Sequence, residues 1–123
     1  MTNTPLLEKS LLFAVRIVRL YRYLVEEKKE FVLSKQLLRA GTCPGAMIRE
    51  AVNAESNSDF IHKLGIAQKE IAETEYWLEL LFRTEYLSEN EYNSIAKDSE
   101  ELMKIIRSAI LTLKRKRRMK DEG

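Results

Sequence analysis

The sequence has little of what turn-rich or disulfide-bonded folds need. Its 123 residues include four Gly and two Pro, whereas a β-sandwich or β-barrel needs a turn about every ten residues. The single cysteine, Cys43, cannot form a disulfide within the chain, which is typical of a protein in a reducing compartment. These shortages argue against an all-β fold and against a disulfide-stapled secreted domain.

Long apolar runs are missing as well. The longest stretch free of Asp, Glu, Lys and Arg covers nine residues, 40–48, and a membrane-spanning helix needs about 20. The first apolar segment carries Glu8 and Lys9 and has no small-residue cleavage site, so it does not resemble a signal peptide. We therefore expect a cytoplasmic protein.

The residues that are abundant are helix formers. Hydrophobic residues make up 45% of the chain and charged residues 33%. The dominant types are Leu, Glu, Lys, Arg and Ala, which have high helix propensity. Length and composition together predict a single all-α domain over residues 1–123.

Capping patterns and polar breaks divide the chain into four predicted helices. Thr4 followed by Pro5 is a typical helix start, and the sequence Ser88-Glu89-Asn90-Glu91 is a capping box. Ser58 is the predicted N-cap of the third helix. The four helices are expected at about residues 4–27, 31–54, 58–84 and 88–116.

The last two predicted helices each carry one seam of mostly apolar residues at alternating steps of four and three. Left-handed antiparallel bundles require this spacing, and short connections make sequential helices antiparallel. The predicted fold is therefore an all-α, up-and-down antiparallel four-helix bundle. The seam residues are Phe60, Leu64, Ala67, Ile71, Thr74, Leu78 and Leu81 in the third helix, and Tyr92, Ile95, Ser99, Leu102, Ile106, Ala109 and Leu113 in the fourth.

The first two predicted helices depart from this scheme. Apolar side chains of the first cover an arc of roughly 220° at 100° per residue, although one packed face needs only about 100–140°. We expect self-association to cover the surplus. In the second helix, Pro44 predicts a kink or, alternatively, a break into two helices. Gly41 and Gly45 predict a close approach by a neighbouring helix.

Positive charge is concentrated near the C-terminus. Residues 114–120 contain six cations, and without residues 114–123 the chain has 15 basic and 17 acidic side chains. Two interpretations are open: a solubilising helix end whose cations suit the helix dipole, and a phosphate-binding segment. Three arginines of the first helix add a second cationic group. The candidate nucleic-acid-binding residues are Arg16, Arg19, Arg22, Lys114, Arg115, Lys116, Arg117, Arg118 and Lys120.

Catalytic and metal-binding patterns are weak. Asp59 and His62 lie three residues apart, but His62 is the sole histidine, and a di-iron bundle needs such a motif twice. Cys43 has no histidine nearby in the sequence, and Glu70 and Glu73 have the spacing of a solvated helix face. We expect a non-enzymatic protein without a metal or cofactor.

Trp77 is a predicted oligomer-interface residue, together with Ile66 and Leu80. Neighbouring residues on a helix point about 100° apart, so Tyr76 and Trp77 cannot both face the seam. Trp77 shares a second side of the third helix with Ile66 and Leu80. Trp is enriched at subunit contacts, and stacking on an unpaired nucleobase is the alternative.

Several segments together resemble a known family. They are residues 34–42 (SKQLLRAGT) with 48–51 (IREA), residues 59–70 (DFIHKLGIAQKE) and residues 73–81 (ETEYWLELL). They are similar to the four helix bundle protein family, which is encoded by intervening sequences inside bacterial large-subunit ribosomal RNA genes. The resemblance covers about residues 6–113. It implies an up-and-down four-helix bundle and ring-shaped homopentamers.

The resemblance also shapes the expected partners. The accessory proteins of diversity-generating retroelements resemble the same family, and they bind nucleic acid and a reverse transcriptase. This sequence departs from the family pattern at Cys43, where the family usually has Ser, and at Met47, where it usually has Asn. Two functions are therefore open: a homo-oligomer that binds RNA or DNA, and a structural or protein-binding scaffold whose basic end keeps it soluble.

Overall fold

The computed structural model describes residues 4–122, which form four α-helices and, within that range, no strand. Each helix packs against the next one along the chain, and the last packs against the first, while the diagonal pairs have no Cα atoms within 8 Å of each other. The predicted four-helix bundle is confirmed. Among residues 4–122, no helix offers an apolar stretch of the length that a membrane span needs. The helices are α1 (Thr4–Glu26), α2 (Leu33–Val52), α3 (Asn57–Arg83) and α4 (Glu89–Glu122).

Contacts between side chains show that sequential helices are antiparallel. From Arg39 to Glu50 along α2, the ion-pair partner on α3 moves back from Glu70 to Lys63. Side-chain pairs between the other neighbouring helices also show antiparallel packing. These are Glu75–Ser99 and Phe82–Tyr92 between α3 and α4, and Lys9–Glu101 and Arg16–Asp98 between α1 and α4.

The starts of α3 and α4 are capped by serines. At α4 the predicted capping box is confirmed, because the Ser88 and Glu91 backbone N–H groups donate to each other's side chains at 2.7 and 3.1 Å. At α3 the predicted cap Ser58 is wrong. The hydroxyl of Ser56, whose backbone is extended, accepts from Asp59 N–H at 3.1 Å. Ser58 already lies inside the first turn, where its hydroxyl is not placed to cap.

The start of α2 depends on a carboxylate that the sequence pattern had assigned to a polar connection. Glu30 is buried and accepts the backbone N–H groups of Val32, Leu33 and Ser34 at 3.1, 2.8 and 2.6 Å. Burial acts to raise the pKa of Glu30, but the three N–H donors prevail and hold it below its usual value. The helix therefore begins at Leu33, two residues later than predicted.

The predicted seams form the core. Six of the seven α3 seam residues are fully buried, and the seventh, Phe60, is half-buried. The α4 seam is buried at its centre and half-buried at both ends. Its buried polar member is satisfied, because Ser99 Oγ donates to Glu75 Oε2 at 2.8 Å. Thr74 Oγ1 likewise donates to the Glu70 carbonyl at 2.7 Å.

Gly41 and Gly45 face α1 at close range, as predicted. A Cβ on Gly41 would lie 2.7 Å from the Ile17 side chain, and one on Gly45 would lie 3.3 Å from the Ser10 carbonyl oxygen. Pro44 is buried inside an uninterrupted α2, so the alternative of two separate helices is wrong. The kink expected there stays a prediction.

One bundle does not cover the apolar arc of α1. Leu11 and Val15 of that arc are 52% and 37% exposed, and Leu12, which lies outside the arc, is 57% exposed. Phe13 and Ile17 on the other side of the helix are buried. The surplus apolar surface expected from the sequence is therefore present on the folded chain. Self-association through it stays a prediction.

Candidate nucleic-acid interface

The cationic residues 114–118, hereafter the basic helix end, lie on the last turns of α4. The helix continues through them to Glu122, past the predicted end near residue 116. Lys and Arg are good helix formers, and cations near a helix C-terminus interact favourably with its dipole. All five side chains are exposed.

A contact with α3 fixes the position of the basic helix end. Arg117 Nη1 donates to Ser58 Oγ at 3.2 Å, in the first turn of α3. Because α3 begins at Asn57, the residues of α4 after Arg117 extend past the start of α3. The other four cations form no hydrogen bond or ion pair with any side chain that the structure describes. The side chain of Lys120, the sixth predicted cation, lies outside the described part of the chain.

The three arginines of α1 differ in availability. Arg16 donates to Asp98 Oδ2 at 2.7 Å, to the Ser94 carbonyl at 3.2 Å and to Ser94 Oγ at 3.0 Å. It therefore ties α1 to α4. Arg19 and Arg22 are exposed and are free to contact an anion.

The two cationic groups are well separated. Asp98, which holds Arg16, precedes Lys114 by 16 residues on α4, and this corresponds to about 24 Å along the helix axis. The fold therefore places the predicted phosphate-binding residues in two groups rather than in one patch.

The predicted interface residues Trp77, Ile66 and Leu80 are all half-buried. Trp77 Nε1 donates to Glu73 Oε2 at 3.0 Å, so its polar atom is already satisfied. Its ring makes an edge contact with Tyr76, with centroids 5.0 Å apart, and Tyr76 is itself 58% exposed. The role of Trp77 in an interface, and base stacking as its alternative, both stay predictions.

A polar cluster between α2 and α3 was not anticipated. Arg39 donates to Glu70 Oε2 at 3.1 Å and also to Glu73, and Glu73 in turn accepts from Trp77. Glu70 is buried, so the solvated face expected for this carboxylate pair is wrong at Glu70. Arg39 and Glu70 lie on different helices, and spacing within one helix carries no signal for such a pair.

The sequence candidates Cys43 and His62 belong to no metal-binding cluster in the described range. Burial raises the pKa of the Cys43 thiol, and the negative charge of Glu70 raises it further. The nucleophilic thiolate is therefore disfavoured. His62 is exposed. Among the residues that were described, no three His, Cys, Asp or Glu side chains are placed to hold a metal ion together.

These features define a class: a small up-and-down helical bundle whose polar clusters tie helices together and whose most strongly charged element is a helix end. Within this class, residues 3–108 match the family described as 23S rRNA-intervening sequence protein. The chain belongs to that family, and the resemblance found in the sequence is confirmed. The basic helix end lies outside the matched residues.

A solved structure supports the same assignment. It is the crystal structure of a protein with unknown function from the S23 ribosomal protein family of Bacteroides thetaiotaomicron VPI-5482. It is 59% identical in sequence, covers 89% of this chain and 98% of its own, and superposes with a TM-score of 0.87. No curated protein matches the chain significantly.

Proposed function

We propose that this chain is a non-enzymatic, homo-oligomeric bundle, a pentamer, that binds RNA or DNA through its basic surface. The observation that carries the proposal is the basic helix end, which presents five consecutive exposed cations on a continuous helix. Nucleic acids release condensed counterions when protein cations replace them. A cationic cluster therefore provides affinity without a shaped pocket.

The arrangement of these cations suits phosphates better than base edges. Consecutive residues on a helix point about 100° apart, so the five side chains fan out on all sides of α4. Phosphate contacts position a nucleic acid and carry no sequence information. We therefore expect binding with little sequence selectivity.

Self-association would multiply the charge. The exposed apolar side chains of α1 and the half-buried Trp77 are the surfaces available for subunit contacts. Each chain carries six cations in residues 114–120. A pentamer with its C-termini on one side would gather about thirty positive charges, a strong attractor for a polyanion.

The salt dependence of binding tests the proposal. Fluorescence anisotropy with a labelled duplex, repeated between about 50 and 200 mM salt, should give a log–log slope near −0.9 for each phosphate neutralised. A chain ending at Leu113 should bind more weakly and with a flatter slope. It should stay folded, because Leu113 is the last seam residue, and a circular-dichroism melt checks this.

The α1 cations provide a second, independent variant. Replacing Arg19 and Arg22 by Gln should flatten the slope further in the full chain. The two effects should add, because Arg19 and Arg22 lie farther from the basic helix end than Arg16 does, and so more than about 24 Å along the helix axis. Arg16 is left unchanged in this variant, since it holds Asp98.

The alternative is a structural or protein-binding scaffold. The exposed Leu11, Leu12 and Val15 favour it, because contiguous exposed apolar surface marks protein contacts. If the full chain binds neither RNA nor DNA at about 50 mM salt, the basic helix end is only a solvated helix end. The scaffold would then be the better explanation.

A further inference from the structure

An open groove lies at the same end of the bundle as the basic helix end. It has a volume of about 670 Å³ and runs along α4, beside the first residues of α1 and α3. Lys9 on α1 pairs with Glu101 on α4, so Thr4 lies level with roughly residue 106 of α4. Beyond that level, α4 continues beside α3 and the end of α2. The groove opens on the side of α4 that α1 covers in the rest of the bundle.

The groove is mainly apolar inside, with Asn57, Ser108 and Thr112 as its uncharged polar lining residues, and it is cationic at both ends. Leu6, Phe60 and Leu113 contribute to its apolar lining, while the exposed Lys104 and Lys116 stand on α4. These lysines are twelve residues apart, or about 18 Å along the helix axis. No carboxylate is among the described lining residues. Lys116 belongs both to the groove and to the basic helix end.

We infer that this groove takes unstacked bases of a single-stranded nucleic acid, with phosphates on Lys104 and Lys116. The inference rests on the proposed function and adds the class of nucleic acid to it. A single strand combines apolar base faces with negative charges repeated along its length. That pattern matches a mainly apolar floor with a cation at each end and four more cations on the adjoining turns of α4. Phe60, which is half-buried in the lining, offers an aromatic ring for stacking.

Other occupants match this charge pattern less well. An amphiphile with one anionic head group would neutralise one lysine and leave the rest of the cations unpaired. The basic helix end of a second copy would be repelled by both lysines. A duplex keeps its base faces stacked inside, so it could use the cations but not the apolar floor.

The comparison of single and double strands separates the groove from the cations. Charge attraction alone favours the duplex, which carries more negative charge per unit length. If the groove holds bases, the order reverses. We therefore expect the full chain to bind a homopolymeric single strand of about 12 nucleotides more tightly than the matching duplex or an abasic strand of equal length.

Substitutions in the groove complete the test, with anisotropy as the measurement. Phe60→Leu keeps apolar bulk but removes the stacking ring, and should weaken single-strand binding about tenfold while leaving duplex and abasic-strand binding unchanged. Phe31→Leu is the control for loss of an aromatic ring away from the groove, because Phe31 is 51% exposed in the connection at the opposite end of the bundle. Thr112→Leu narrows the groove from its exposed rim without touching the core, and should also weaken single-strand binding.

Each other outcome has a definite meaning. If the duplex binds as tightly as the single strand and Phe60→Leu changes nothing, the groove inference is wrong. The proposed function would still stand in that case if binding depends on salt and is lost when the chain is cut after Leu113. If the full chain binds no nucleic acid, both are wrong. If Phe60→Leu and Thr112→Leu alter the sedimentation of the unliganded protein but not single-strand binding, the groove is a contact between copies and the inference is overturned.

Discussion

At the residue scale, small and polar side chains set the geometry of this bundle as much as the large apolar ones do. Gly41 lets α1 approach α2 until a Cβ there would overlap the fully buried Ile17. Glu30 satisfies three backbone N–H groups at once. The buried Glu70 is paired with Arg39, which is itself exposed, and this fits the rule that buried charges are paired.

The two helical glycines Gly41 and Gly65 make a matched pair for testing the α1–α2 approach. Gly41→Ala should destabilise the protein by about 1–3 kcal/mol through overpacking, because the β-branched Ile17 is stiff and enclosed. Gly65 has no atom within 4 Å of an added Cβ and is exposed. Gly65→Ala should therefore stabilise by about 0.5–1 kcal/mol.

Urea denaturation of both variants measures these opposite effects. Equal stabilisation by the two alanines would show that α1 does not approach α2 so closely at Gly41.

At the element scale, the periodic pattern locates each helix, and single hydrogen bonds decide where it begins. Ser56 and Ser58 both lie near the start of α3, and serine is a favourable N-cap residue. The extended backbone of Ser56 makes it the cap, whereas Ser58 lies inside the helix and accepts from Arg117. Because Ser56 is the N-cap of α3, the hydroxyl of Ser58 does not cap the helix and accepts a hydrogen bond from α4 instead.

Alanine substitutions distinguish the two serines. Ser56→Ala removes the acceptor for Asp59 N–H and should cost about 1 kcal/mol of stability. Ser58→Ala, at a position that is also exposed, should change stability by less than about 0.5 kcal/mol. Chemical denaturation monitored by circular dichroism gives both values, and a larger loss from Ser58→Ala would reverse the assignment of the cap.

At the scale of the whole molecule, the bundle buries its seams but not all of its apolar surface. The side of α1 that carries Leu11, Leu12 and Val15 remains exposed, and exposed apolar surface that is contiguous usually marks an interface. The polar Arg16–Asp98 pair lies on the α1–α4 side of the same helix. α1 therefore has both an intramolecular and a potential intermolecular face.

Sedimentation tests the intermolecular face. At micromolar concentration the protein should sediment as a species several times its 14.4 kDa chain mass. Leu11→Glu should shift it toward the monomer, while Leu111→Glu, at a position of similar exposure on α4 (55% against 52%), should not. A wild-type chain that sediments as a monomer would contradict the interface argument.

The regular parts of this protein follow from its sequence. Repeats of apolar residues at steps of three and four set the seams of α3 and α4, the Ser88–Glu91 pattern set a helix start, and the run of cations marked the basic helix end. All of these are local features, and a helix expresses them within a few turns because its hydrogen bonds join residues four apart.

The tertiary structure alone decided which of these features meet. Arg16 is tied to Asp98, 82 residues away, and Arg39 to Glu70, 31 residues away. The first pairing engages an arginine that the sequence predicts to contact phosphate, and the second involves a buried carboxylate expected in solvent. The groove beside Phe60 exists because α4 continues past the level where α1 starts. Such pairings depend on helix lengths, tilts and register summed over the whole chain, and no periodicity within one helix contains them.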